Sequence, residues 1–483
     1  MSLRQFADAC LDAAALAGAS YADVRIVDTA TQSLSVRTGR VEAIGSSTSF
    51  GFGVRVVAGG CWGFASSSEV TSDTAARIAR EAVAIAKASG VSRGRPVELS
   101  AVEAFEGRWT GQYEIDPFAV SIEEKLAVLL AADEALRSQD AVKVTEASMG
   151  FLKVTKTFAS SAGSYVEQSH VESGAGITAY AVGGGEVLSR SYPNSHGGQT
   201  VQGGWEAIAS LDLVAHAPRV AEEAAALLQA KECPSTRTTV VIDGSQLGLQ
   251  VHESIGHPTE LDRVLGDEAA FAGTSFLTLG DAGKLRYGSE RVTVTADATI
   301  AGSLGSFGWD DEGVPAQREA IVERGLFRGF LTSRESAVVL GRTSNGCMRA
   351  DGWNRIPLIR MTTVSLEPGE AGTLEDLIAD TDDGIYLETN NSWSIDDRRL
   401  NFQFATEIGW EIHGGKLGAM IKRPNYTGIT PQFWGSCDAV CGREAWRVWG
   451  LANCGKGQPM QVAHVAHGAA PARFRDVQVG VGR

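Results

Sequence analysis

The sequence predicts an α+β fold in two parts. Residues 1–235 form an N-terminal mixed α/β domain with helices packed on a sheet, and residues 236–483 form a β-rich, barrel- or sandwich-like C-terminal domain. Three observations predict it. A chain of 483 residues exceeds the size at which one hydrophobic core keeps growing. The first half alternates long helical patterns with glycine-punctuated strand patterns, whereas the second is mostly short strand patterns between turn residues. Between them Lys231-Glu232-Cys233-Pro234 ends a helical pattern, since proline cannot continue a helix, and the β-branched run 238–242 follows.

In chain order, residues 3–17 have the apolar spacing of an amphipathic helix, and 22–28, 32–36 and 51–57 read as strands separated by Thr, Gly and Ser. Residues 70–89 carry Ala, Ile and Val at helical spacing ahead of Gly90. The same pattern recurs at 122–138, where Ser121 is suited to cap the helix and Glu124 holds the capping-box position. Strand character returns at 142–158, 164–172 and 176–182, and 207–228 is a third long helix rich in Ala and Leu. In the second part, strands are expected at 292–295, 323–330, 358–365, 401–412 and 416–426. Helices are expected there at 245–255, 333–340, 373–379 and 437–448.

Composition excludes several classes of function. With 43% hydrophobic and 21% charged residues the chain is an ordinary globular protein, and no apolar run approaches the roughly 18 residues that span a bilayer. A net charge of −15 without a Lys/Arg cluster argues against nucleic acid as a partner. Seven scattered cysteines and the lack of a basic, then apolar, leader fit reduced thiols and a cytoplasmic location.

The most informative segment is Leu249-Gln250-Val251-His252-Glu253-Ser254-Ile255-Gly256-His257, which spends two of only eight histidines on one HExxxH string. A chain of this composition holds such a string by chance about 0.008 times. Two imidazoles and a carboxylate are the parts that hold a divalent metal and move protons on a water bound to it. The better-known zinc spacing is HExxH. Five helical steps put the imidazoles about 140° apart on a straight helix, so the helix must be distorted. Gly256 and Pro258 flank the second histidine, and a single π-type turn would bring positions i and i+5 into line.

An open zinc site needs a third protein ligand. Spacing leaves Glu260, Asp262, His413, Cys437, Cys441, Cys454, His464 and His467 as candidates. Glu260 is equally suited to fixing an imidazole from behind. Cys437 and Cys441 read as buried thiols near Trp434 and Trp446. Cys454 stands apart, in a glycine-flanked loop with Lys456 two residues on, because a nearby cation favours the thiolate that a metal requires.

These residues resemble the TldD side of the TldD/PmbA metallopeptidases, and the resemblance covers nearly the whole chain. It runs through Gly51-Phe52-Gly53-Val54-Arg55, Trp62-Gly63-Phe64-Ala65, the HExxxH string, the stretch from Asp310 to Arg318, Arg360-Met361-Thr362 and Cys454-Gly455-Lys456. Some members have one more residue after the Cys-Gly-Lys triplet, where Lys456 here runs directly into Gly457-Gln458. The resemblance implies Zn2+ held by His252, His257 and Cys454, with Glu253 as the catalytic base that deprotonates water for peptide-bond hydrolysis. It also implies unfolded or flexible peptide substrates and assembly in the cytoplasm with a PmbA-like paralogue as a heterodimer, a homodimer being the other possibility. It assigns no role to the acidic stretch from Asp310, which chemistry alone reads as a tight turn. The rival expectation is a noncatalytic peptide-binding or regulatory subunit, as the paralogous half of the family is. Retention of all four site residues speaks against it.

Overall fold

The structure is a computed structural model and describes residues 1–92 and 94–480. The strands expected at 22–28, 32–36 and 51–57 are parts of one long hairpin, Tyr21–Arg37 paired with Arg40–Ala58. The sequence understates its length because Arg40–Ala58 is mostly exposed up to Phe50, so the apolar alternation that marks a half-buried strand is missing there. The hairpin belongs to an eight-stranded sheet ordered Cys61–Ser67, Arg40–Ala58, Tyr21–Arg37, Val142–Ser160, Tyr165–Gly183 and Glu106–Thr110. Glu186–Tyr192 and Gln199–Gln202 also pair with Tyr165–Gly183.

Alternation along Tyr21–Arg37 sorts the two faces of this sheet. Ala22, Val24 and Ile26 pack under the helices Leu3–Leu16 and Ser72–Ser89, while Leu34 and Val36 share a cluster with Ile122–Leu136 and Leu213–Leu227. The helix expected at 207–228 is broken into Trp205–Leu211 and Leu213–Leu227 by Asp212, whose φ is 45°. The intervening positions Asp23 and Arg25 point to the other face, toward the C-terminal half.

That half holds a closed barrel of five strands. Thr236–Ile242 pairs with Asp383–Ile395 on one side and Ala472–Val479 on the other, and Asn425–Ile429 and Asn401–His413 complete the circuit back to Asp383–Ile395. The single strand expected at 416–426 is divided at Arg423 and Pro424 into Lys416–Lys422 and Asn425–Ile429, of which only the second enters the barrel. A second sheet has six strands, in the order Leu326–Phe327, Arg318–Glu323, Val294–Asp297, Thr363–Leu366, Gln461–Ala469 and Arg447–Lys456. The helix expected at 437–448 does not form. Cys437–Val440 pairs with Ala472–Val479, and Arg447–Lys456 pairs with Gln461–Ala469. Gly442 interrupts the helical spacing, and long-range pairing outweighs a weak local preference.

Charged residues join the two halves. Arg55 donates to Asp23 (2.7 and 2.9 Å) and to Glu312 (3.1 Å), while Lys156 reaches Asp311 at 2.6 Å and Arg25 lies 3.7 Å from the same carboxylate. Glu312 also accepts from the Arg334 backbone at 2.6 Å. The acidic stretch that begins at Asp310 therefore forms a buried clasp between the halves. Every carboxylate in it has a cation or backbone N–H, as buried charge demands.

A second contact titrates. His464 Nδ1 hydrogen-bonds Glu172, with His170 Nε2 at 3.2 Å from the other carboxylate oxygen. Burial disfavours both charges, but the histidines hold the Glu172 carboxyl far below its ordinary 4.5, and Glu172 raises the His464 imidazole above 6.5. The Glu172 share of this stability is present above pH 4.5 and lost as pH falls through its depressed value. The His464 share is complete below pH 6.5 and lost as pH rises through its raised value. The melting temperature of the wild type should exceed that of His464→Gln by about 1–2 °C near pH 6, and the difference should shrink toward pH 9. A difference independent of pH would remove titration from the account.

Candidate metal centre

The HExxxH segment leaves the barrel strand Thr236–Ile242 through Asp243, whose carboxylate accepts from Ser245 N (2.7 Å) and Gln246 N (3.2 Å) and starts the helix Gly244–Val251. The helix packs between barrel strand Asp383–Ile395 and Gln461–Ala469 of the second sheet, and residues 246–261 are all buried. Tyr426 links two of its buried polar side chains, Gln246 and Gln250, at 2.8 and 2.9 Å.

Over His252–Gly256 the helix widens into one π turn, closed by a bond from His257 N–H to His252 C=O. This i→i+5 bond brings the two imidazoles onto one side, with ring centroids 4.6 Å apart. Carbonyls loosened by the wider turn find other donors: Tyr287 OH bonds Ser254 O, and Thr259 Oγ1 bonds Ile255 O (2.9 Å) and Gly256 O (2.8 Å). Gly256 has ordinary right-handed helical angles, so backbone freedom does not explain it. A Cβ there would sit 2.1 Å from Met361 Sδ, so the small residue is needed for close packing.

In both histidines Nδ1 is engaged from behind. His467 Nδ1 donates to Val364 O (2.9 Å), so in the neutral ring Nε2 accepts from His252 Nδ1–H (2.8 Å) and leaves the His252 Nε2 lone pair free. Glu260 accepts from His257 Nδ1–H at 2.8 Å with the same result. Burial keeps these rings neutral. It pushes His252 down to about 4 and His257 and His467 well below 6.5.

Cys454 arrives from the other end of the chain. Its Sγ lies 3.7 Å from His257 Nε2, and donor atoms of His252, His257 and Cys454 all fall within 4.8 Å of one another. It sits on the strand Arg447–Lys456 and not, as expected, in a loop. The expected cation is also different. Burial raises the thiol, but the Arg360 guanidinium and then His257 more than offset it and bring Cys454 below its ordinary 9.0. Lys456 points elsewhere, to Asp262 (2.8 Å), Glu260 and Glu268 (both 3.3 Å) and Ile359 O (2.7 Å). It thereby ties the cysteine strand to the carboxylate behind His257.

The spacing of His257 and Cys454 fits a tetrahedral zinc. Ligand bonds of about 2.0–2.1 Å to nitrogen and about 2.3 Å to sulfur require an N···S separation of about 3.6 Å, close to that between His257 and Cys454. Of the other candidates, Glu260 and His467 support the imidazoles from behind, and Asp262 binds Lys456. His464 belongs to the interdomain contact, and His413 is exposed beside Asp383. Cys437 and Cys441 are buried thiols pushed up to about 12 by burial. Glu253 accepts from Trp393 Nε1 (2.9 Å) and Arg399 Nη1 (2.7 Å). Both donors belong to one barrel hairpin, Trp393 on the strand Asp383–Ile395 and Arg399 at the turn with φ 61°. Nothing in the sequence marks them, because their meeting with Glu253 depends on the register of that hairpin. A cavity of about 680 Å³ opens between the halves, lined by Trp109, Phe151, Phe307, Trp309, Gly197 and Ala463, the last being the cross-strand partner of Cys454.

Family models match along the chain: the PmbA/TldA metallopeptidase C-terminal domain over residues 235–480, domain 1 over 22–86 and the central domain over 115–232. The chain belongs to the PmbA/TldD metallopeptidase family. A metalloprotease of Methanocaldococcus jannaschii is 30% identical over 87% of this chain and 89% of its own length. Two solved structures share the fold of this PmbA/TldD chain. One is described as a putative modulator of a DNA gyrase from Thermotoga maritima (TM-score 0.78, 18% identity, 99% of this chain and 100% of that one). The other is TldE from Thermococcus kodakarensis (TM-score 0.72, 15% identity, 98% and 100%). Among the described residues, no helix is long and apolar enough to cross a membrane.

Proposed function

We propose that this PmbA/TldD chain is a catalytic, zinc-dependent peptidase in which His252, His257 and Cys454 hold Zn2+ and Glu253 is the general base. The observation that carries the reading is that donor atoms of His252, His257 and Cys454 lie within 4.8 Å of one another, beside a carboxylate, with Nδ1 of each histidine engaged from behind. Three protein donors leave a coordination position open, which suits catalysis better than a closed structural site. Bound zinc supplies Lewis acidity, making water a nucleophile near neutral pH. Glu253 takes the proton of the attacking water and delivers it to the leaving amine. Trp393 and Arg399 hold its carboxylate in place, while His467 and Glu260 fix the imidazole tautomers.

Substrates on this reading are unfolded or flexible peptides, which can enter the interdomain cavity as extended chains. Assembly with a PmbA-like paralogue, or with a second copy, would enclose it further. The cytoplasm, where the thiols stay reduced, is the compartment this chemistry suits. The noncatalytic alternative is less favoured, because a binding subunit has no use for a preorganised donor set.

Metal analysis with peptidase assays tests the proposal. Purified protein, alone and with its paralogue, should carry about one zinc per chain, hydrolyse unstructured peptides, lose that activity on chelation and regain it with Zn2+. Stoichiometric zinc without hydrolysis in either form would point to the binding-subunit reading instead.

A further inference from the structure

Hydrolysis of an amide builds negative charge on the former carbonyl oxygen, and His252, Glu253, His257 and Cys454 provide no hydrogen-bond donor for it. The two side chains bound to Glu253 differ in what they have left to give. An indole has one N–H, and Trp393 donates it to Glu253 Oε1 at 2.9 Å. A guanidinium has five, and Arg399 commits only Nη1, to Glu253 Oε2 at 2.7 Å. Its Nε is buried without a hydrogen-bond partner. Nη2 has no partner among the described residues either, but it is not sealed in, and the side chain is 15% exposed.

Arg399 lies in the turn between Asp383–Ile395 and Asn401–His413, with φ 61°. Its N–H donates to Asp396 O (2.8 Å) and its carbonyl accepts from Thr430 Oγ1 (2.9 Å), while the Asp396 carboxylate holds the next two N–H groups at 2.8 and 3.1 Å. The turn is thus fixed, whereas the head of the side chain hangs on the single bond to Glu253. A general base sits within about 3.2 Å of the water it deprotonates, and that water attacks a carbon about 3–3.5 Å away. A donor already on the carboxylate of the base is therefore within a small swing of the oxygen on that carbon. Its charge also reaches the ligand rings: after burial, which dominates, Arg399 is among the groups that push His252 and His257 down. Trp393 is 44% exposed, so this side of Glu253 is open to solvent.

We infer that Arg399 is a further catalytic residue, donating from Nη2–H to the oxyanion of the tetrahedral intermediate. The inference rests on the peptidase reading above. Water oxygen bonds to the carbonyl carbon, the C=O π pair moves onto oxygen, and Glu253 takes the water proton. Collapse restores C=O and breaks C–N as the amine takes that proton. Arg399 keeps all its protons throughout, and what changes is its partner. At rest it faces the Glu253 carboxylate. Once that carboxylate is protonated the negative charge has moved to the former carbonyl oxygen, and the charge-assisted hydrogen bond follows it. The contact is strongest when the oxygen is fully charged, so it lowers the barrier more than it tightens substrate binding.

The test compares Arg399→Met and Arg399→Lys with the wild type in the full chain, together with the paralogue if activity needs it. Arg399→Met should keep its zinc but lose about 10²–10³-fold in kcat, with KM changed by less than about threefold. Arg399→Lys, which retains a cationic donor, should recover at least about tenfold. Affinity for a phosphinic peptide, an anionic tetrahedral mimic, separates this role from merely holding Glu253 in place. Arg399→Met should weaken it about 10²-fold both in the wild type and in a Glu253→Gln background. Unchanged phosphinic affinity in the Glu253→Gln background, near-wild-type kcat in Arg399→Met, an effect on KM alone, or loss of zinc from both variants would overturn the role. A wild type that neither binds zinc nor hydrolyses peptides would overturn the peptidase reading, and the role of Arg399 with it.

Discussion

Glu253→Gln is expected to lower kcat by about 10²–10⁴-fold while zinc remains bound. The substitution keeps the size of the side chain, and neither imidazole nor the Cys454 side chain is altered. What it removes is the ability to accept a proton from water. It also places an amide NH2 against Trp393 Nε1–H or Arg399 Nη1–H, donors that now meet a carboxylate at 2.9 and 2.7 Å. A modest loss of stability should follow. Activity and zinc content must be measured on the same sample, because a variant that had lost its metal would mimic a missing base. Retention of most of the wild-type rate with zinc in place would remove Glu253 from its assigned role.

Lys456→Met should have the largest effect on stability. Lys456 is fully buried and holds Asp262, Glu260 and Glu268 together, with Arg263 on Glu268 as the other strong cation contact. Burial already pushes Asp262 and Glu268 up against the pull of Lys456. Replacing the ammonium with an apolar chain of similar length leaves buried carboxylates short of a partner, at a cost of about 3–5 kcal/mol. Glu260 then loses a cation, its hold on His257 Nδ1–H weakens, and the tie between the cysteine strand and the His257 segment is lost. Zinc affinity should fall about 10–100-fold. Denaturant unfolding of the metal-free protein and competitive zinc titration measure the two effects separately. Unchanged affinity in a destabilised variant would confine Lys456 to folding.

Much of the fold was legible because its signals are local. The helices at 3–17, 70–89 and 122–138 declare themselves by apolar spacing and, at Ser121, by a cap. The features that escaped are those in which pairing with a distant strand overrides local pattern. The exposed arm of Arg40–Ala58 has no apolar alternation, the polar, exposed end of Asp383–Ile395 does not look like a barrel strand, and 437–448 has helical spacing but both its ends pair as strand. The acidic stretch from Asp310 could be read only as a turn, since its partners Arg55 and Lys156 lie far away in the chain.

The sequence by itself determined the donor types at His252 and His257, the need for a distorted turn between them, and the presence of a carboxylate beside the first. These follow from residues within one helical turn of each other, where backbone geometry and spacing leave few choices. Spacing alone left eight candidates for the third position, of which the family resemblance named Cys454, and the tertiary structure brings that residue to the pair and shows which cation lies beside it. Cys454 is 197 residues from His257, and their approach to 3.7 Å depends on closure of the barrel and the register of Arg447–Lys456 against Gln461–Ala469. The same long-range packing turns Lys456 away from the thiol, puts Arg360 in its place, and brings Trp393 and Arg399 onto Glu253. Such contacts are set by the sum of many burial and pairing energies across the chain, and no short stretch of sequence encodes that sum.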